Sequence, residues 1–184
     1  MQAQQTAERP GEEMWKAWES KIATSFPRAN PMSTQALASL LEAHPEEVVL
    51  LDVRGAPEYL VSRLHESAIR LDDSNFNLNE IKQLLEHKPN ATVVCYCSIG
   101  FRSSKLAQTL VDSNEFPTNK IFNLQGGLFQ WANENRPLVK VDEDTYEVIP
   151  ALGAHPYNST FGQMLDAKYH MYPENHEGSW CVVS

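Results

Sequence analysis

At 184 residues, with 42% hydrophobic and 21% charged side chains, the chain has the length and balance of one soluble domain with extensions. Its net charge of −9 argues against nucleic acid as a partner and against simple electrostatic attraction to anionic lipid. There is no apolar run long enough to cross a bilayer and no signal-peptide core, and the three cysteines cannot all pair, so a reducing, cytoplasmic setting is expected.

Residues 1–29 form an N-terminal extension, in which a short helix over 12–25 places Trp15, Trp18 and Ile22 on one face. That stripe either docks on the domain's own surface or receives a protein partner. Residues 26–31, Phe-Pro-Arg-Ala-Asn-Pro, are a linker, and Ser33 then caps a helix through Leu37, Leu40 and Leu41. Residues 48–53 are a nearly continuous apolar strand, as expected where both faces of a sheet are covered. A helix over 57–63 follows, with Glu58 in its first turn, where a carboxylate is favoured anyway. Next come a strand over 68–71 and a helix over 77–87 with Ile81, Leu84 and Leu85 inward.

Residues 91–96 are a β-branched, apolar run that predicts a buried strand. Residues 103–111 then carry Leu106, Ala107, Leu110 and Val111 at helical spacing. A strand over 120–124, Gly126-Gly127 and a short helix through Phe129 and Trp131 complete a domain spanning 30–140. Residues 141–184 are a C-terminal extension; 139–149 is a charged, partly alternating segment for the domain edge, and 154–162 is a loop by composition. Strands alternating with helices at this spacing predict an α/β fold. Its doubly wound, mostly parallel sheet has about five strands, with helices on both faces. Ligands in such sheets bind beyond the carboxyl ends of the strands.

Cys97 stands at one of those ends, where a tight loop carries the chain from strand into helix. Backbone N–H groups can converge there, and the helix dipole adds partial positive charge that favours a thiolate, the nucleophilic form of cysteine. Gly100 permits the turn, and Arg102 can fold back as a fixed hydrogen-bond donor. Arg102 either braces the loop or binds an anionic donor. Asp52 and Arg54 are placed to form a bracing pair nearby. Cys95, two residues earlier, is a strand-interior thiol. The six histidines lack metal-ligand spacing with the cysteines, so no metal is assigned.

Cys97-Ser-Ile-Gly-Phe-Arg-Ser103 between strand and helix resembles the active loop of rhodanese domains. Residues 48–54, Val-Val-Leu-Leu-Asp-Val-Arg, followed by Glu58-Tyr59, resemble that family's opening strand and Asp-Val-Arg turn. Residues 123–131, Asn-Leu-Gln-Gly-Gly-Leu-Phe-Gln-Trp, resemble its closing Gly-Gly-x-x-x-Trp segment. One stretch departs: Arg63-Leu-His-Glu-Ser-Ala68 stands where the family has a Gly-His-Ile-Pro-Gly-Ala-like sequence. The resemblance implies sulfur transfer through a Cys97 persulfide, from a small-molecule sulfane donor to a thiol or other nucleophilic acceptor, without a cofactor. Ser98, Ile99, Gly100, Phe101 and Ser103 would then form the loop that cradles the persulfide. Four residues separate Cys97 from Arg102, where cysteine-dependent phosphatases have five. The shorter ring suits a single sulfur on the cysteine rather than a tetrahedral phosphate. The alternatives are a non-catalytic interaction module and a small phosphatase or arsenate reductase on the same fold.

The ending Cys181-Val-Val-Ser184 is similar to a C-a-a-X prenylation box, its terminal Ser pointing to farnesyl. With no basic cluster beside it, a single lipid implies only weak, reversible membrane association.

Overall fold

The computed structural model describes residues 11–72, 76–88, 90–116 and 120–173. Five parallel strands form the central sheet in the order β1-β5-β4-β2-β3. They are β1 (Pro31–Met32), β2 (Val48–Asp52), β3 (Ile69–Arg70), β4 (Thr92–Tyr96) and β5 (Ile121–Leu124). The helices between them are α1 (Glu12–Ser25), α2 (Thr34–Ala43), α3 (Ala56–Val61), α4 (Leu78–Glu86), α5 (Phe101–Asp112) and α6 (Gly127–Asn133). The expected α/β architecture is present, with boundaries shifted by a residue or two.

Successive residues of a strand point to opposite faces, so the apolar run of β2 serves two cores at once. Val48 and Leu50 pack with Trp15 of α1, Leu37 of α2 and Leu128 and Phe129 of α6. Val49 and Leu51 pack on the other side with Ile81 of α4 and Leu106, Ala107 and Leu110 of α5. At the centre, β2 and β4 pair along their full length, from Val48 opposite Thr92 to Asp52 opposite Tyr96. Their carboxyl ends therefore finish level, which brings Asp52 and Cys97 to the same rim.

Two segments differ from the sequence expectation. Residues 26–31 do not remain a linker throughout: Pro31 opens the edge strand β1, whose Asn30 and Met32 carbonyls accept from Asn123 N–H at 2.8 Å and Gln125 N–H at 2.9 Å. An edge position tolerates a proline because its missing donor leaves no ladder bond unmade. Residues 154–162 contain a one-turn helix, α7 (Ser159–Gly162), capped by the Asn158 side chain, which accepts from Phe161 N–H at 2.9 Å. Ahead of it, β6 (Leu138–Val141) and β7 (Val148–Ala151) make a separate antiparallel hairpin at the domain edge. Arg63 and Val139 exchange two backbone hydrogen bonds, of 2.7 and 3.0 Å, and thereby hold the hairpin beside α3. Arg63 thus begins the departing 63–68 stretch by serving the hairpin, and Tyr59 Oη donates to Ala68 O at 2.8 Å to close it.

The two extensions meet. A Cβ on Gly11, at the start of α1, would lie 2.7 Å from the carbonyl oxygen of Gln163. Met164 and Leu165 are fully buried in the same core as Trp15. The Asn133 side chain fastens this segment to α6, donating to Met164 O and accepting from Asp166 N–H, both at 2.8 Å.

Candidate active site

Cys97 is the first residue past β4, and Gly100 is the left-handed N-cap of α5, with φ of 97°. A side chain at Gly100 would press on Leu124 O at 3.2 Å, in a conformation that other residues rarely adopt. The turn aims the Gly100 N–H at Cys97 Sγ, 3.2 Å away. From behind, Leu128 N–H donates to Cys97 O and Phe129 N–H to Ser98 O, both at 2.9 Å. A Cβ on Gly127, where φ is 56°, would collide with Cys97 O. That is the physical content of the Gly-Gly-x-x-x-Trp segment: it lets the first turn of α6 close on the carbonyls of the loop. Ser103 Oγ donates to Asn123 Oδ1 at 2.7 Å and Ser104 Oγ to Gly100 O at 2.7 Å, fixing the start of α5 to β5 and to the loop.

An ionic frame supports the loop from the side. The Arg102 guanidinium forks onto Glu58, with Nη1 to Oε2 at 3.0 Å and Nη2 to Oε1 at 2.8 Å. Ser98 Oγ accepts from Arg102 Nη2 at 3.1 Å and donates to Glu58 Oε1 at 2.5 Å, while Gly55 N–H donates to Oε2 at 2.9 Å. Burial would raise the Glu58 carboxyl, but the Arg102 hydrogen bonds and charge, with Ser98 and Gly55, outweigh it and hold Glu58 below the usual carboxylate range. Glu58 therefore does more than complement the dipole of α3. Sequence reasoning missed this, because an acidic residue in a first turn already has a sufficient local explanation.

Beneath it, Asp52 and Arg54 form the expected bracing pair. Both are almost wholly buried, joined by Nε to Oδ1 at 2.9 Å and Nη2 to Oδ2 at 2.7 Å. Burial opposes the Arg54 charge, but Asp52 outweighs it and keeps the guanidinium ionised. Arg54 then donates to Glu58 O at 3.3 Å and Ser62 O at 2.5 Å, carbonyls of the last turn and C-cap of the short helix that carries Glu58. The links run from β2 through Arg54 to α3, and from Glu58 to Ser98 and Arg102 on either side of the loop.

Above the loop the surroundings are apolar. Cys97 is 1% exposed and lies against a pocket of about 130 Å³ lined by Trp18, Ser98, Ile99, Phe101, Arg102, Tyr157 and Phe161. Trp18 meets Phe101 edge-on at 5.3 Å and Phe161 at 5.2 Å, and Tyr157 lies 5.6 Å from Phe161 and 5.0 Å from the Arg102 guanidinium. Trp18 belonged to a predicted aromatic stripe; Tyr157 and Phe161 carried no periodic signal, in a segment read only as a loop by composition.

Cys95 lies inside β4, and burial pushes its thiol well above the ordinary value, so it stays protonated. Cys181 falls outside the described residues. One exposed grouping, His44, Glu46 and Glu47, holds potential metal-ligand atoms within 4.8 Å of one another. It sits at the amino end of β2, across the sheet from Cys97. Among the described residues no helix is long and apolar enough to cross a membrane.

No curated protein sequence matches the chain. Solved structures do. The thiosulfate sulfurtransferase from Pseudomonas aeruginosa is 21% identical with a TM-score of 0.53, over 68% of this chain and 23% of that one. The As-Sb reductase from Leishmania major is 14% identical with a TM-score of 0.54, over 66% of this chain and 92% of that one. A protein from Rhodopseudomonas palustris, described as a possible tyrosine phosphatase, is 19% identical with a TM-score of 0.51, covering 67% and 92% of the two chains. At these identities the likeness concerns the fold alone, which the three proteins share whatever their chemistry. The family model for the rhodanese-like domain matches residues 33–134, and this chain belongs to that family.

Proposed function

We propose that the protein is a sulfurtransferase that carries sulfane sulfur as a persulfide on Cys97. The observation that carries this reading is the four-residue ring from Cys97 to Arg102, with the Gly100 N–H on Sγ and the arginine fork already occupied by Glu58. A phosphate-transfer site needs its arginine free to grip equatorial oxygens. Here Arg102 holds the loop in shape, and the cysteine is left with backbone donors suited to one added sulfur.

The Cys97 thiolate attacks the terminal sulfur of a donor R–S–S⁻. The S–S bond of the donor breaks, R–S⁻ leaves with the electron pair, and a Cys97–S–S⁻ persulfide forms. In the second half an acceptor thiolate attacks the outer sulfur, and Cys97 leaves as thiolate. No net electron transfer occurs across the cycle. Preorganised N–H groups at the start of α5 stabilise the charge on the outer sulfur without reorganising.

Intact-mass measurement after loading with a persulfide donor should show one added sulfur atom on the native protein. Cys97→Ser should show none and lose at least about 10³-fold in turnover, as expected for removal of a nucleophile. Cys95→Ala should load normally. A Cys97→Ser variant that still transfers sulfur overturns the assignment.

A further inference from the structure

We infer that Trp18, Tyr157 and Phe161, supplied by the two extensions, make this site selective for sulfur donors that carry an aryl or comparably bulky apolar group, and poor toward thiosulfate. This rests on the persulfide reading of Cys97 and adds its substrate class.

The three side chains lie outside residues 33–134, so the family domain does not supply them. They are held in place by built structure. Ala154 N–H donates to Tyr169 O at 2.7 Å, and Met171 N–H donates to Ala154 O at 3.0 Å, closing the base of a loop over 154–171. Within it, His170 Nε2 lies 3.0 Å from Gly162 O and 3.1 Å from Leu165 O, and Tyr157 N–H donates to His155 Nδ1 at 3.0 Å. Tyr157 takes φ of 68°, an uncommon conformation for a tyrosine, and this turns its ring over Arg102. Opposite, α1 brings Trp18 against both Phe101 and Phe161.

The pocket is open on one side, and its volume of about 130 Å³ is close to that of apolar protein cavities of about 150 Å³ that take up benzene. The charge of the wall points the same way. Both terminal nitrogens of Arg102 are on Glu58, so its charge is already balanced by a carboxylate. A compact dianion entering between the rings gives up its hydration against carbon, which is costly. A donor with a single charge on its sulfur end places that end at the loop amides and its ring among the aromatics.

The test compares three donors on the full chain: thiosulfate, methanethiosulfonate and benzenethiosulfonate. Each gives its sulfane sulfur to the Cys97 thiolate, releasing sulfite or the corresponding sulfinate with the electron pair. Benzenethiosulfonate should exceed methanethiosulfonate in kcat/KM by roughly 10- to 100-fold, the range for burying one ring, and should exceed thiosulfate by more. Trp18→Ala and Phe161→Ala should each reduce the benzene-to-methane ratio about tenfold, chiefly through KM. Trp18→Leu and Phe161→Leu keep the wall apolar while removing the ring, and should lower the same ratio. Equal rates for the two thiosulfonates, a preference for thiosulfate, or a ratio untouched by the leucine variants overturns the inference while leaving the persulfide reading standing. No sulfur on Cys97 from any donor overturns both.

Discussion

The floor of the site and its cover are built on opposite physical terms. The floor is a saturated polar frame in which Asp52, Arg54, Glu58, Ser98 and Arg102 are hydrogen-bonded to one another or to the backbone. The cover is a set of aromatic rings from two distant parts of the chain, in contact but joined by no directional bonds. A network of charges in low dielectric has one good arrangement, and losing any member strands the others. Apolar contacts tolerate replacement at modest cost. The floor therefore fixes the geometry of the loop, while the cover is free to define what reaches it. Substitutions in the floor should cost stability, and substitutions in the cover should change selectivity.

Asp52→Ala tests this most severely. It leaves the Arg54 guanidinium buried without its counter-ion, for which the expected loss is about 3–5 kcal/mol. In a chain of this size that corresponds to a fall in Tm of roughly 6–20 °C. Thermal unfolding followed by calorimetry reads it directly. A loss no larger than that of a surface substitution would mean that the floor is not the rigid half of the site.

Glu58→Gln should cost less, about 2–3 kcal/mol at pH 7, because Arg102 keeps some access to water. Its pH dependence carries the sharper information. The folded-state pKa of Glu58 is lowered, so its contribution is fully present above the ordinary carboxylate value of about 4.3 and is lost as pH falls through the lowered value. The stability gap between native protein and variant should stay constant from pH 7 to about 5 and narrow below about 4.3. Urea unfolding across that range checks it. A gap that is flat down to acid pH would show that the carboxylate charge is not what holds Arg102.

How much of this was legible follows from how local each feature is. The loop from Cys97 to Ser103, the strand in front of it and the Asp52–Arg54 pair all lie within a few residues of a recognisable pattern, and the structure places them together. The pairing of Glu58 with Arg102 spans 44 positions and joins two residues that each had an adequate local explanation. The strand β1 was hidden because Pro31 argues against a strand everywhere except at an edge. Tyr157 and Phe161 were hidden for a different reason. Their segment owes its shape to a bridge between Ala154 and His170 and to the Asn133 side chain, contacts that no periodicity encodes.

Tyr157 gives the smallest expected effect on stability and for that reason the cleanest separation of floor from cover. Its ring stacks over Arg102, a half-exposed cation–π contact contributing about 0.5–1 kcal/mol. Its backbone is left-handed, which costs a non-glycine residue about 1–2 kcal/mol. Tyr157→Gly removes both terms, gives up the edge-on contact with Phe161, which contributes about 0.5–1.5 kcal/mol, and adds about 0.5–1 kcal/mol of chain entropy lost on folding. These offset to a net loss of about 1 kcal/mol, so Tm should fall by no more than about 2–4 °C. The fork of Arg102 on Glu58 does not involve the tyrosine and should survive intact. A Tm fall on the scale expected for Asp52→Ala would show that Tyr157 belongs to the frame after all, and would dissolve the distinction between the two halves of the site.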